Sequence, residues 1–484
     1  MAIIQKIVDT VNAYLSDYVL IIMLLGAGIY FSIRTKFVQV RCFGEGMRNV
    51  FGKISLKGKS EKGGMSSFQA LATAIAAQVG TGNIVGACGA IFIGGPGAIF
   101  WMWIIAFFGM ATIYGEAILA QKTRVVAEDG TVSGGPVYYI KQAFKGKFGK
   151  VLAAFFAIAA MLALGFMGAM VQSNSIVSNF ESAVAELGVE SNLVKIIVGL
   201  VITAAAAFVF IGGVSRLASV TEKIVPIMAV IYLLGGVLVL CINITDIPMS
   251  FAMIFKYAFV PDALIGGSVG AAIKIAVSQG AKRGLFSNEA GMGSTPHAHA
   301  LANVKNPHEQ GTVAMISVFI DTFVVLTITA LVVISSLYAG GFITPENYGA
   351  LVESGDISGA NMAQIAFGKT FGKLFGAKVG NYIGLWFIAI CLLFFAFSTI
   401  ISWNYFGKVN FNYLFGKKAT AAYSAIAVIF VFLGSLLSND LVWALTDMFN
   451  NLMVIPNVIA LVALGGVVVS LCKFKKKRDI PEIK

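Results

Sequence analysis

From Tyr18 to Leu471 the chain repeats one pattern, a long apolar run followed by a short polar segment. Eleven such runs fall at about 18–33, 66–93, 96–121, 150–179, 193–212, 215–243, 263–282, 311–338, 379–405, 420–437 and 442–471. Each suffices for a helix to cross the roughly 30 Å hydrocarbon layer of a bilayer. The runs are too continuous for the alternating pattern of a membrane β-barrel, and their Gly and Ala content suits close helix packing. The pattern therefore predicts an all-α polytopic membrane protein with 11 transmembrane helices.

One run is interrupted where it should be most regular. At the middle of 66–93 stands Gly80-Thr81-Gly82-Asn83. A dinucleotide-binding loop does not fit, because the spacing is GxGxxxG, no β-branched strand precedes it and no acidic residue follows about 20 positions on. Setting the first run aside leaves five runs in 66–243 and five in 263–471, flanked by an N-terminal segment 1–65, a connection 244–262 and a tail 472–484. An odd number of crossings per unit turns the second unit upside down. That is the inverted repeat of many secondary transporters, whose site lies at mid-membrane where the first helix of each half is broken. The corresponding break in the second half is expected at Ser278-Gln279-Gly280, ahead of a polar run that ends at Pro296.

Such breaks are costly. Gly in a helix interior costs about 1 kcal/mol, and each unsatisfied backbone group in lipid costs several more. Freed N–H groups of an outer half-helix suit a carboxylate, and freed carbonyls of an inner half-helix suit Na⁺ or an ammonium. A zwitterionic amino acid carries both complementary groups. Gly80, Thr81, Gly82, Gln78, Ser278, Gln279 and Gly280 are the substrate candidates from the two breaks.

Composition agrees with the membrane reading: 58% of residues are hydrophobic, 12% are charged and mean hydropathy is +0.86. The loop 34–65 holds eight Lys or Arg against Glu45 and Glu61, loop 122–149 is also basic, and 180–192 carries Glu181, Glu186 and Glu190 with no Lys or Arg. Positive loops stay in the cytoplasm, which predicts an N-terminus outside, a C-terminus inside and residence in the cell membrane. The net charge of +12 then reflects topology and contact with anionic membrane lipids, and no nucleic-acid partner is expected. Met1 to Asp17 has no positive region ahead of its apolar residues and is not expected to be a cleaved signal peptide. Of five Cys, three lie in spans and Cys42 and Cys472 on the cytoplasmic side, so no disulfide is expected.

Asp321, about ten residues into its span, is an ion or proton ligand candidate, because an ionisable group at that depth is expensive. Gln172, Ser173 and Asn174 fan over roughly 200° of a helix, so they cannot all face one site. Gln172 or Asn174 is expected to hydrogen-bond substrate, and Glu116 to cap or pair with cytoplasmic groups. His297, His299, Glu289 and His308 invite a zinc reading that fails, since i and i+2 side chains point apart and Pro296 interrupts the segment. The FGK repeats of 367–376 are expected to form an amphipathic surface helix with Lys at the headgroups. No HExxH, GxSxG or paired catalytic carboxylates lie in or beside the spans, so no enzyme and no cofactor is expected.

The stretch Gly94-Gly-Pro-Gly-Ala-Ile-Phe-Trp-Met-Trp-Ile-Ile-Ala-Phe-Phe-Gly109 resembles the signature of the alanine/glycine:cation symporters, or sodium:alanine symporters, of the amino acid–polyamine–organocation superfamily. FVQVR at 37–41, SSFQAL at 66–71, GTGNIVG at 80–86, GGPVYYI at 134–140, VQSNSI at 171–176, NEAGMGSTPHAHA at 288–300 and FAFSTIISWNYFG at 395–407 extend the resemblance over nearly the whole chain. It implies a leucine-transporter-like fold in helices 2–11 and uptake of alanine, glycine or similar small amino acids coupled to Na⁺ or H⁺. It also implies that Gly80, Thr81 and Gly82 meet the substrate carboxylate and that Asn83 ligates the Na⁺ touching it. Ser398 and Thr399 would hold a second Na⁺ with carbonyls of the first broken helix, hard oxygen ligands being what a small alkali cation needs. Gln78 stands where relatives vary, so substrate choice could turn on it. Proton coupling remains an alternative to sodium, and a channel is a rival that lacks the ring of carbonyls or charges a filter needs.

Overall fold

The computed structural model describes residues 2–52, 64–128, 130–185, 187–260, 269–437 and 439–472. Most of the connection 244–262 is therefore described, whereas the basic residues of the tail after Cys472 and Lys53 to Lys62 of the first loop lie outside the described residues.

Helix α1, Gln5–Arg34, begins well before the expected run and passes through one widened turn at Leu15–Leu20. It lies against α4 (Ala98–Thr123) and α13 (Asn439–Ala463) at the side of the bundle. The run 66–93 is two helices, α2 (Ser67–Gln78) and α3 (Gly82–Gly94), bent by 45°. Ser66 and Gln69 start α2 with reciprocal side-chain to backbone bonds, Gln69 N to Ser66 Oγ at 3.1 Å and Ser66 N to Gln69 Oε1 at 3.2 Å. After α4 a two-residue hairpin, β1 (Val125–Val126) with β2 (Val132–Ser133), leads to α5 (Gly146–Ala185).

The runs 193–212 and 215–243 form α6, Ser191–Ile242, continuous in hydrogen bonding but turned at Gly213 (φ 63°, ψ −156°). Its 52 residues would span about 78 Å if straight, more than twice the hydrocarbon thickness, so the Gly213 corner joins two passes. The sequence at 212–213 supplies two glycines and no polar loop, and Arg216 closes the corner by donating to Phe208 O at 2.5 Å.

Helix α7 (Ile247–Phe259) precedes α8 (Val269–Asn288), and α9 (Pro307–Ala339) follows the polar run. The chain then forms α10 (Met362–Phe375), α11 (Ala377–Phe415), α12 (Thr420–Leu436), α13 and a short α14 (Gly465–Leu471). The FGK helix α10 has the expected exposed face, which carries Lys369 and Lys373, but its other face is packed into the bundle. Phe367, Gly368, Thr370 and Phe371 are buried, Gly384 approaches Gly368 backbone too closely for any Cβ, and Lys373 Nζ donates to Asn243 Oδ1 at 2.7 Å. Helices α2, α3 and α8 pack on one another and on α4, α9 and α11, so both halves of the chain meet at the centre. Large apolar side chains such as Ile22, Leu200, Ile211 and Leu234 stay exposed around the outside, as a lipid-facing belt requires.

Candidate functional site

Helix α2 ends because Val79 leaves the helical region (φ −79°, ψ 85°). Asn83, in the first turn of α3, reaches back over the break: its Oδ1 accepts Gly80 N at 3.0 Å, so its amide nitrogen is left to face away. Asn83 Nδ2 donates to Asp321 Oδ1 at 2.6 Å and to Asp321 O at 3.2 Å. The other carboxylate oxygen of Asp321 accepts Ser287 Oγ at 2.8 Å and Thr322 Oγ1 at 2.9 Å. Asp321 thus ties the first break to the last turn of α8. Asp321, Asn83, Ser287 and Thr322 are all fully buried, and among the described residues no Lys or Arg pairs with this carboxylate. A buried carboxylate without a basic partner calls for a proton or a cation.

Gln172 lies on the other side of the break, its Oε1 accepting Thr81 N at 3.1 Å and Thr81 Oγ1 at 2.6 Å. A carboxylate oxygen could accept from the same groups. Thr399 Oγ1 donates to Ala76 O at 2.9 Å and Ala77 O at 3.3 Å, and Ser398 Oγ to Phe395 O at 2.8 Å and Ala76 O at 3.3 Å. Two hydroxyls and the last carbonyls of α2 therefore converge beside Gly80, where a Cβ would stand 2.3 Å from Thr399 Oγ1. Gln78 Nε2 donates to Asn288 O at 2.8 Å, bridging the two breaks. Of the expected residues, Gln78, Gly80, Thr81, Gly82, Asn83, Gln172, Asp321, Ser398 and Thr399 come together.

The second break is not at Ser278-Gln279-Gly280, which lies inside continuous α8. Gly280 is a packing glycine whose Cβ would stand 2.6 Å from Trp101 Cβ, and Ser278 Oγ donates to Asp17 Oδ1 at 2.5 Å. The helix ends eight residues later, at Asn288, where Glu289 takes φ 59° and Gly291 and Gly293 take φ 88° and 85°. Glu289 is held by Trp403 Nε1 at 2.5 Å and by Ser294 Oγ. Glu116 caps this break rather than cytoplasmic groups: Oε2 accepts Gly291 N at 3.0 Å and Oε1 accepts Asn457 Nδ2 at 2.6 Å. Asn174 is also misplaced by the sequence, since its Nδ2 donates to Gly434 O and Leu437 O, away from the break. Ser287, Asn288 and Trp403 were missed, and Glu289 and Glu116 were singled out for other roles. The run Asn288-Glu-Ala-Gly-Met-Gly-Ser-Thr-Pro296, dense in polar residues and glycine, was the signal for two of them, Asn288 and Glu289.

A cavity of about 550 Å³ opens beside α3, lined by Asp17, Gln279, Arg283, Trp443 and Asp447 among others. It lies at the end of the bundle opposite the loop after Arg34. Arg283 Nη1 pairs with Asp447 Oδ1 at 3.4 Å and its guanidinium sits 4.4 Å from the Trp443 ring centroid. Trp443 packs at a tilt of 43° on Phe286, with ring centroids 4.8 Å apart, and Phe286 in turn abuts Gly82. These side chains separate the cavity from the break.

The profile of the sodium:alanine symporter family matches residues 1–481. The chain is 39% identical over 470 residues to the sodium/alanine symporter AgcS of Methanococcus maripaludis, covering 97% of this chain and 96% of that one. It is 36% identical over 472 residues to the amino-acid carrier protein AlsT of Bacillus subtilis, covering 96% and 91%. The fold is similar to that of MhsT in complex with L-phenylalanine, a transporter of leucine-transporter fold, with TM-score 0.57 and 14% identity over 85% of this chain and 100% of that one. Full-length similarity to these sequences, on a fold whose two helix breaks meet at the centre, makes the chain a member of the sodium:alanine symporter family, whose work is cation-coupled amino-acid transport across a membrane.

Proposed function

We propose that this protein is a sodium-coupled symporter of alanine, glycine or similar small neutral amino acids, working by alternating access in the cell membrane. The observation that carries the reading is the bond from Asn83 through Asp321 to Ser287, which joins both helix breaks around one carboxylate. In this reading the N–H groups of Thr81 and Gly82 receive the substrate carboxylate, taking over the acceptor role of Gln172 Oε1. Asp321 serves one cation next to that carboxylate, and Asn83 joins it by turning its amide oxygen from Gly80 N toward Asp321. Ser398, Thr399 and the carbonyls of Ala76 and Ala77 serve a second. The basic segments after Arg34 and around Lys122 face the cytoplasm, so the cavity over Arg283 and Asp447 is the outer vestibule.

The driving force follows from charge. A zwitterion gains nothing from the membrane potential, whereas one co-moving cation gains about 2.3 kcal/mol per 100 mV, and a tenfold gradient adds about 1.4. Together they support roughly 500-fold accumulation per cation. A proton-coupled second reading draws on Asp321 alone, a buried carboxylate with no basic partner among the described residues. Uptake of alanine and glycine into proteoliposomes, with Na⁺ and pH gradients imposed separately, distinguishes the two. Sodium coupling predicts accumulation with the Na⁺ gradient alone and its loss in folded Asp321→Asn. Accumulation driven only by the pH gradient would replace sodium with protons, and coupled uptake by Asp321→Asn would remove Asp321 from the cation site.

A further inference from the structure

Away from Asn83 and Asp321, at the end of the bundle where α1 runs into the basic loop, three side chains of metal-ligating type converge. Cys42 Sγ, a Glu45 carboxylate oxygen and a ring nitrogen of His308 all lie within 4.8 Å of one another, the one such group among the described residues. They come from separate parts of the chain: Cys42 and Glu45 from the turn and short helix Phe43–Phe51 that follow α1, His308 from the first turn of α9. Cys472, at the end of α14, stands beside this trio and not within it: Arg41, next to Cys42 in the chain, donates from Nη2 to Cys472 Sγ at 3.3 Å. We propose that Cys42, Glu45 and His308, with Cys472 as fourth ligand, bind a divalent transition-metal ion of zinc type.

The chemistry of the set fits. Two sulfurs, one imidazole and one carboxylate are the donors zinc takes in tetrahedral sites, where neighbouring ligand atoms sit about 3.5 Å apart. The trio lies within 4.8 Å, so binding draws its side chains closer together. Cys42, Cys472 and His308 are almost fully buried, whereas Glu45 is exposed, so the site has a dry side and a route in. Both cysteines are free thiols, available as ligands. The Tyr114 hydroxyl lies 2.6 Å from His308 Nδ1, which orients the ring and turns Nε2 to Glu45 Oε2, 3.4 Å away. A hydrogen bond on the far ring nitrogen is how proteins set a metal-binding imidazole. Two thiolates, a carboxylate and a divalent cation sum to one negative charge. Arg41 Nη2, 3.3 Å from Cys472 Sγ, supplies the compensating positive charge.

The simpler alternative is an ordinary His308–Glu45 ion pair next to two inert thiols, and it takes up no metal. Bound, the ion would fasten the end of α1 and the end of the last helix to the start of α9, whose later turns carry Asp321. This site is independent of the transport reading, and so is its test. Full-length protein purified in detergent, stripped with chelator and kept reduced, is titrated with Co²⁺ and then Zn²⁺. We expect one equivalent of Co²⁺ to give thiolate charge-transfer and intense tetrahedral ligand-field bands, displaced by one equivalent of Zn²⁺. Cys42→Ser should lose the charge-transfer band, and Cys391→Ser, distant in the bundle, should keep it. Glu45→Gln, at an exposed position that folding tolerates, should weaken Zn²⁺ binding by roughly tenfold or more. Absence of the Co²⁺ bands in wild type, or equal Zn²⁺ affinity in wild type and Glu45→Gln, would overturn the proposal.

Discussion

At the scale of single residues the account turns on Gly82. Its φ is not left-handed, so backbone strain is not the reason for glycine there. The reason is distance, because a Cβ would stand 2.9 Å from Ser287 Cα and 3.2 Å from Phe286 O, both backbone atoms of α8 that cannot rotate away. Gly82→Ala therefore has to push α3 and α8 apart at the place where both breaks meet, an overpacking of about 1–3 kcal/mol. We expect alanine affinity measured by calorimetry in saturating Na⁺ to fall roughly tenfold or more. Gly86→Ala meets nothing nearer than 3.8 Å and gains about 1 kcal/mol of helix propensity, so its affinity should match wild type. Equal affinities in the two variants would mean that the Gly80–Asn83 segment serves packing and not ligand. Residue choice was partly legible in advance: Gln172 and Asp321 stood out by polarity within a span, whereas Asn83, Ser398 and Thr399 came from the family resemblance. Asn174 was not separable from Gln172, because the sequence carries no phase reference for the helix, and only packing showed that Asn174 turns to Gly434.

At the scale of elements, glycine has two uses that sequence alone confuses. Gly280 sits in an intact helix to let Trp101 approach, whereas Gly291 and Gly293 take left-handed angles and unwind the chain. The expected break was placed at the first small, polar triplet of the run, eight residues early, because a packing glycine and an unwinding glycine look alike. The first break was found because Thr81 and Asn83 flank its glycines inside an otherwise apolar run. Gly213 makes a third kind of statement. Its φ 63° and ψ −156° lie in a region open almost only to glycine, yet nothing lies within 4 Å of a would-be Cβ. Gly213→Ala should cost about 1–3 kcal/mol through backbone strain alone and lower the thermal unfolding midpoint in detergent. Gly26→Ala, in regular helix with open space around it, should leave the midpoint unchanged or raise it. A Gly213→Ala variant as stable as wild type would contradict the corner drawn here.

At the scale of the whole molecule, the basic segments after Arg34 and Lys122 and the cavity lie at opposite ends of the bundle, and the proposed orientation makes that cavity the outer vestibule. In a cysteine-free background, Ala444→Cys in the cavity wall should react with a membrane-impermeant thiol reagent in intact cells. Glu128→Cys, exposed beside the hairpin after α4, should react only after permeabilisation. The reverse pattern would invert the orientation. The central claim is that cation and amino acid share one site, built where Asn83 and Asp321 join the two breaks. If so, the two ligands must raise each other's affinity by the same factor. The most direct measurement is alanine binding by calorimetry to wild type and Asn83→Ala, in Na⁺ and in K⁺ at equal ionic strength. The account predicts binding at least about tenfold tighter in Na⁺ for wild type, with most of that gain gone in Asn83→Ala. Equal affinity for alanine in Na⁺ and K⁺ would contradict it.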